Sequence, residues 1–186
     1  MATVEPFVIT NGLLSQARQM PSPNCDERPN GFEISLLVIH CISLPPGSYG
    51  GDAIERFFKN ELPTNEHPYF ENIAGLKVSA HLLIKRTGEV IQFVNFNRRA
   101  WHAGVSCLEA RECCNDFSIG IELEGLDNTQ FTQQQYIVLA SITKQLRSHY
   151  PAIKRKNLVG HEHIAPDRKA DPGSGFDWVL YRNFIE

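Results

Sequence analysis

One continuous apolar run, Ser35-Leu36-Leu37-Val38-Ile39-His40, constrains this chain more than any other feature. A half-buried strand alternates apolar and polar residues; this run does not, so it reads as a central strand buried on both faces. Leu44-Pro45-Pro46-Gly47 breaks the chain after it. Further elements follow the same rules. Asp52-Ala53-Ile54-Glu55 predicts a capping box that opens a short helix through Phe57-Phe58. His81 to Lys85, Thr87-Gly88 and Glu89 to Val94 read as strand, turn and strand, and Phe117 to Leu123 as another strand. The longest helix starts at Thr132 with Gln135 completing a capping box. Tyr136, Leu139, Ala140, Thr143 and Leu146 share one face of it, and Pro151 ends it. Asn157 to Gly160 is a short strand, and the polar, Pro-rich segment Pro21 to Asn30 is a loop. Strands and helices alternate along one chain, so the predicted fold is α/β: a single domain over residues 1–186, its core spanning about 12–180, built on a central mixed β-sheet flanked by helices.

A length of 186 residues is enough for a sizeable core, and 42% apolar with 21% charged residues is an ordinary globular balance. A net charge of −3 gives no electrostatic reason to expect nucleic acid or an anionic membrane as partner. The start, Met1-Ala2-Thr3-Val4-Glu5-Pro6, lacks the basic and apolar regions of an export signal, and no membrane span is expected. The five cysteines, Cys25, Cys41, Cys107, Cys113 and Cys114, are odd in number and lack CxxC spacing. They read as reduced, buried or half-buried thiols of a cytoplasmic protein.

The segment Gly160 to Gly173 packs two histidines, three acids, an arginine and a lysine into what reads as a loop behind the strand end Leu158-Val159. His161 and Asp171 are of zinc-binding type, and one more histidine would complete a hydrolytic centre with an open position. His40 ends the most buried strand, either as that ligand or as a histidine satisfied by a structural partner. Alternation turns Cys41 to the opposite face. The same alternation puts Gly120, Glu122 and Glu124 on one face of their strand, with Glu124 expected in solvent. Glu122 is expected nearer the apolar centre, where desolvation suits a carboxylate to general base work. Lys169 lies two residues from Asp171, on the same side of an extended loop. It is placed either to stabilise an oxyanion or to form a surface salt bridge. Trp101, in Trp101-His102-Ala103-Gly104, is a cleft wall or a core aromatic. His67 reads as surface or packing, and His81 as a supporting or simply buried group.

Several of these pieces, in this order, resemble the zinc-dependent N-acetylmuramoyl-L-alanine amidases. They are Val38-Ile39-His40, Val78 to His81, Arg99 to Gly104, Asn115 to Gly125 and Gly160 to Gly173. The resemblance runs from about Gly12 to Trp178 and implies that family's fold. It implies one Zn²⁺ per chain held by His40, His161 and Asp171, with Glu122 activating water and Lys169 stabilising the oxyanion. It also implies that Trp101, with Cys41 and Leu123, contacts the substrate. The expected reaction is hydrolysis of the amide between N-acetylmuramic acid and L-alanine, on 1,6-anhydromuropeptides of bacterial wall recycling, by a cytoplasmic monomer. The sequence departs from the family pattern at Cys41, at His163 and at Cys113-Cys114. Two alternatives share the fold: an exported or phage enzyme that degrades intact wall, and a non-catalytic peptidoglycan-binding module. The intact ligand set with Glu122 and Lys169 argues against the second, and the absence of an export signal argues against the first.

Overall fold

The computed structural model describes residues 6–186. Six strands form the main sheet: β1 (Arg18–Gln19), β2 (Leu36–Ile42), β3 (Leu82–Ile84), β4 (Val90–Gln92), β5 (Ser118–Glu124) and β6 (Leu158–Gly160). Their spatial order is β6-β2-β5-β3-β4-β1. Pairing is parallel throughout except between β3 and β4, so the sheet is mixed, as expected.

The apolar run occupies the interior strand β2, where Leu37, Val38 and Ile39 are all 0% exposed. Both faces of the sheet are covered. On one face Leu37, Ile39, Ile119, Ile121 and Leu123 pack against Leu139, Ile142 and Leu146 of α3 (Gln133–His149) and against Tyr181 of α5 (Trp178–Phe184). On the other, Leu36 and Val38 pack against Ala103, Phe117, Val159 and Ile164. Helix α1 (Ala53–Phe58) covers Leu83 and Ile91 with Phe57 and Phe58, next to α2 (Pro68–Asn72).

The capping box at Thr132 and Gln135 forms as the spacing predicts. The one at Asp52 does not: no side-chain cap bond is made there, because Glu55 is pulled into the core. Glu55 sits 2.7 Å from Lys85 Nζ with both side chains enclosed, while Asp52 pairs with Arg56 at 3.2 Å instead. The Pro21–Asn30 segment is not all loop, since Cys25–Glu27 pairs with Arg98–Ala100. Glu124 is not in solvent either. It is 2% exposed and accepts the backbone N–H groups of Gly50 (2.6 Å) and Arg86 (3.0 Å), tying down the chain that follows β2. Cys107 and Cys113 are exposed rather than buried: Cys107 pairs with Glu112 in a two-stranded ribbon, and Cys113 follows it. The segment after β6 is helical at first: α4 spans His161–Ile164. Among the described residues no helix is long and apolar enough to cross a membrane.

Candidate metal centre and active site

Strands β2, β5 and β6 run parallel, and the polar cluster gathers at their carboxyl ends, where open α/β sheets place their ligands. Alternation along β2 carries Leu36, Val38 and then His40 onto the face turned away from α3. Glu122 of β5 is the register partner of His40. Gly160 ends β6 and caps α4, which delivers His161 beside His40. The backbone N–H of Glu162 donates to Asp171 O at 2.9 Å, folding the loop back so that Asp171 faces both imidazoles.

Three ligand-type atoms converge there. His40 Nδ1 lies 3.0 Å from His161 Nδ1 and 3.0 Å from Asp171 Oδ2, and His161 Nδ1 lies 3.1 Å from the same oxygen. Both imidazoles are enclosed, at 1% and 3% exposure. His161 donates its Nε2–H to the Ala103 carbonyl at 3.1 Å, which leaves its Nδ1 as a bare lone pair aimed at the cluster. Burial pulls His40 down to about 4, against the raising effect of Asp171, so it is neutral at pH 7. Burial would raise Asp171, but the close approach of the His161 and His40 imidazoles outweighs that and holds it well below the usual carboxylate range. Two imidazole nitrogens and one carboxylate oxygen, mutually in reach, fit a divalent cation of zinc type with a position left open.

Glu122 completes the group. Its Oε2 is enclosed without a hydrogen-bond partner. Burial, reinforced by the negative charge of Asp171 and opposed by Lys169, raises its pKa well above the ordinary value. A carboxyl whose charged form is disfavoured in this way holds a proton more readily than a free one, which suits it to accept one as a general base. His40, Glu122, His161, Lys169 and Asp171 all line one cleft of about 420 Å³, whose apolar side is formed by Leu44, Phe57, Tyr69 and Val78.

Other expected positions fall differently. Leu123 is 0% exposed within the core and lies outside the cleft lining, because alternation turns it away from Glu122. Trp101 is half-buried and also outside the lining, its side chain engaged with Asp26. Cys41 does line the cleft, with its thiol raised by burial and so protonated. His163 turns away, its Nδ1 accepting the Gly160 N–H at 3.0 Å as a helix cap. The residue that the sequence undervalued is His102, which lines the cleft and meets His40 Nε2 at 2.9 Å. A signal for it existed in Gly120: a glycine inside a buried strand marks the close approach of a neighbour. A Cβ there would collide with the His102 ring.

The profile of the Amidase_2 family, N-acetylmuramoyl-L-alanine amidase, matches residues 30–174. The chain belongs to the N-acetylmuramoyl-L-alanine amidase family. Among relatives of this amidase, the 1,6-anhydro-N-acetylmuramyl-L-alanine amidase AmpD of Citrobacter freundii is 53% identical over 179 residues, 96% of this chain and 95% of that one. A crystal structure of a Se-Met AmpD derivative superposes with a TM-score of 0.93 at 52% identity, covering 96% of this amidase and 99% of that chain. The Escherichia coli amidase AmiD, solved with anhydro-N-acetylmuramic acid-L-Ala-D-gamma-Glu-L-Lys as substrate, matches with a TM-score of 0.59 at 25% identity, over 96% of this amidase and 65% of that chain. The amidase therefore shares both the fold and the family expected from its motifs.

Proposed function

We propose that this protein is a zinc-dependent amidase that cleaves the bond between the lactyl carbonyl of 1,6-anhydro-N-acetylmuramic acid and L-alanine, working as a single-domain monomer in cytoplasmic wall recycling. The observation that carries the reading is the convergence of His40, His161 and Asp171 within 4.8 Å, with Glu122 in register beside His40 inside the cleft. The names of the full-length relatives supply the substrate class.

His40, His161 and Asp171 are the groups that would hold the ion. When bound, zinc supplies Lewis-acid polarisation and a water acidified to a pKa of about 7. Glu122 takes a proton from the attacking water and returns it to the alanine nitrogen as the C–N bond breaks, giving a lactyl carboxylic acid, which then ionises, and a free amine. Its raised pKa serves both halves of that exchange. Lys169, at the cleft, places an ammonium where negative charge develops on the carbonyl oxygen.

The test offers the zinc-loaded protein soluble 1,6-anhydromuropeptide and, separately, intact sacculi. Peptide release from the soluble substrate, with sacculi left intact, is expected. Preferential digestion of sacculi would replace the recycling role with wall degradation, and binding without cleavage of either would remove the enzymatic reading.

A further inference from the structure

The segment His102-Ala103 touches both imidazoles of the cluster, and the second contact has no place in the chemistry above. His40 presents Nδ1 to the cluster and Nε2 to His102 Nδ1, 2.9 Å away. His102 Nε2 in turn lies 3.0 Å from Ser118 Oγ. The two rings meet edge-on, with centroids 5.0 Å apart at 82°. The segment is itself pinned, since Asn115 Oδ1 accepts the backbone N–H groups of His102 (3.2 Å) and Ala103 (2.8 Å). Strand β5 is shaped for this ring along one face: Ser118 bonds it, Gly120 leaves room for it, and Glu122 stands beyond it at the cleft.

Proton counting gives this chain of contacts a direction. A neutral imidazole carries one N–H and one lone pair. If His40 Nδ1 is to offer its lone pair to a cation, Nε2 must carry the proton and donate it. His102 Nδ1 must then accept, which puts the His102 proton on Nε2, directed at Ser118 Oγ. Every nitrogen in the relay is used once under that assignment. Were His102 to donate instead, the His40 proton would sit on Nδ1, between His161 and Asp171, and would block the site.

We propose that His102 is a positioning residue for the divalent cation: it holds His40 in the Nε2–H tautomer and fixes its ring plane, with Ser118, Gly120 and Asn115 holding His102. This rests on the reading of His40, His161 and Asp171 as a metal centre. It assigns to one short segment the orientation of both ligand histidines, since Ala103 O does for His161 what His102 does for His40.

Zinc affinity, measured by chelator competition on purified protein, tests it together with the melting temperature of each metal-free variant. His102→Leu, which removes the acceptor, is expected to weaken zinc binding by about 10–100-fold, the usual effect of losing such an outer partner. His102→Asn, whose Oδ1 can stand in for Nδ1, is expected to recover most of that loss, and Gly120→Ala, which displaces the ring, to mimic His102→Leu. An affinity for His102→Leu within about twofold of wild type, in a protein that melts cooperatively, would overturn the proposal. So would His102→Asn binding as weakly as His102→Leu, which would reduce His102 to packing. Long-range ¹H–¹⁵N spectra of the zinc-loaded wild type test the tautomers without any substitution: protons on Nε2 of both His40 and His102 are expected, and a proton on His102 Nδ1 contradicts the proposal. A wild-type protein that binds no zinc would instead refute the metal-centre reading itself.

Discussion

Glu122→Gln is expected to lower kcat/KM on soluble anhydromuropeptide by about 10²–10⁴-fold, the range a positioned acid–base group contributes, while zinc content stays at one per chain. Its carboxylate lies outside the set of three converging ligand atoms and carries an enclosed oxygen with no partner, so its removal should leave the cluster intact. The same substitution has a stability signature in the metal-free protein. A carboxyl whose folded pKa is raised binds a proton more readily folded than unfolded. Stability is therefore present below the unfolded value of about 4.3 and is lost as pH climbs from there through the folded pKa. Glu122→Gln removes that loss, so the variant should melt above wild type at neutral pH and level with it near pH 4. Melting profiles across this range check the sign, and a variant less stable at neutral pH would mean that a partner satisfies the Glu122 carboxylate in the folded protein. Equal loss of zinc and activity would recast it as a ligand.

The largest effect expected at the metal comes from His161→Ala. It removes one of three ligand atoms and leaves Ala103 O without its imidazole donor. Zinc affinity should fall by more than the roughly 10–100-fold that loss of an outer partner causes, and activity should fall to the uncatalysed background. Metal analysis after dialysis, beside the activity assay, reads both. A His161→Ala protein that keeps full zinc occupancy would point to His102 or His163 as the true ligand. The geometry argues against both: His102 turns one nitrogen to His40 and the other to Ser118, and His163 spends its Nδ1 on the Gly160 N–H.

What the sequence disclosed depended on whether a local pattern decided the outcome. The unbroken run Leu36 to Ile39 has one good solution, a strand covered on both sides, and it lies there at zero or near-zero exposure. Thr132 and Gln135 satisfy each other's backbone within one turn, so the α3 start needs nothing distant. Glu55 and Glu124 depart from expectation because their partners come from far along the chain. Lys85 draws Glu55 out of its cap, and Gly50 with Arg86 covers Glu124, and no alternation pattern carries that information. The site shows the same division. Strand parity puts His40 and Glu122 on one face, and they stand there as register partners on parallel strands, while a short helix and the returning loop bring His161 and Asp171 beside them. Leu123 turns into the core because adjacency in sequence to Glu122 is not adjacency in space. His102 stands in the same motif as Trp101, but only the missing Cβ of Gly120, eighteen positions on, reports its placement.

The central claim is hydrolysis of one defined bond at the His40–His161–Asp171 cluster. It is tested most directly by digesting 1,6-anhydromuropeptide in ¹⁸O-water with the zinc-loaded protein and weighing the products by mass spectrometry. The expected products are a muramic lactyl carboxylate carrying one ¹⁸O and an unlabelled peptide with a free alanine amine, with no turnover after zinc is removed. Label in the peptide, cleavage at any other bond, or undiminished turnover without zinc would contradict it.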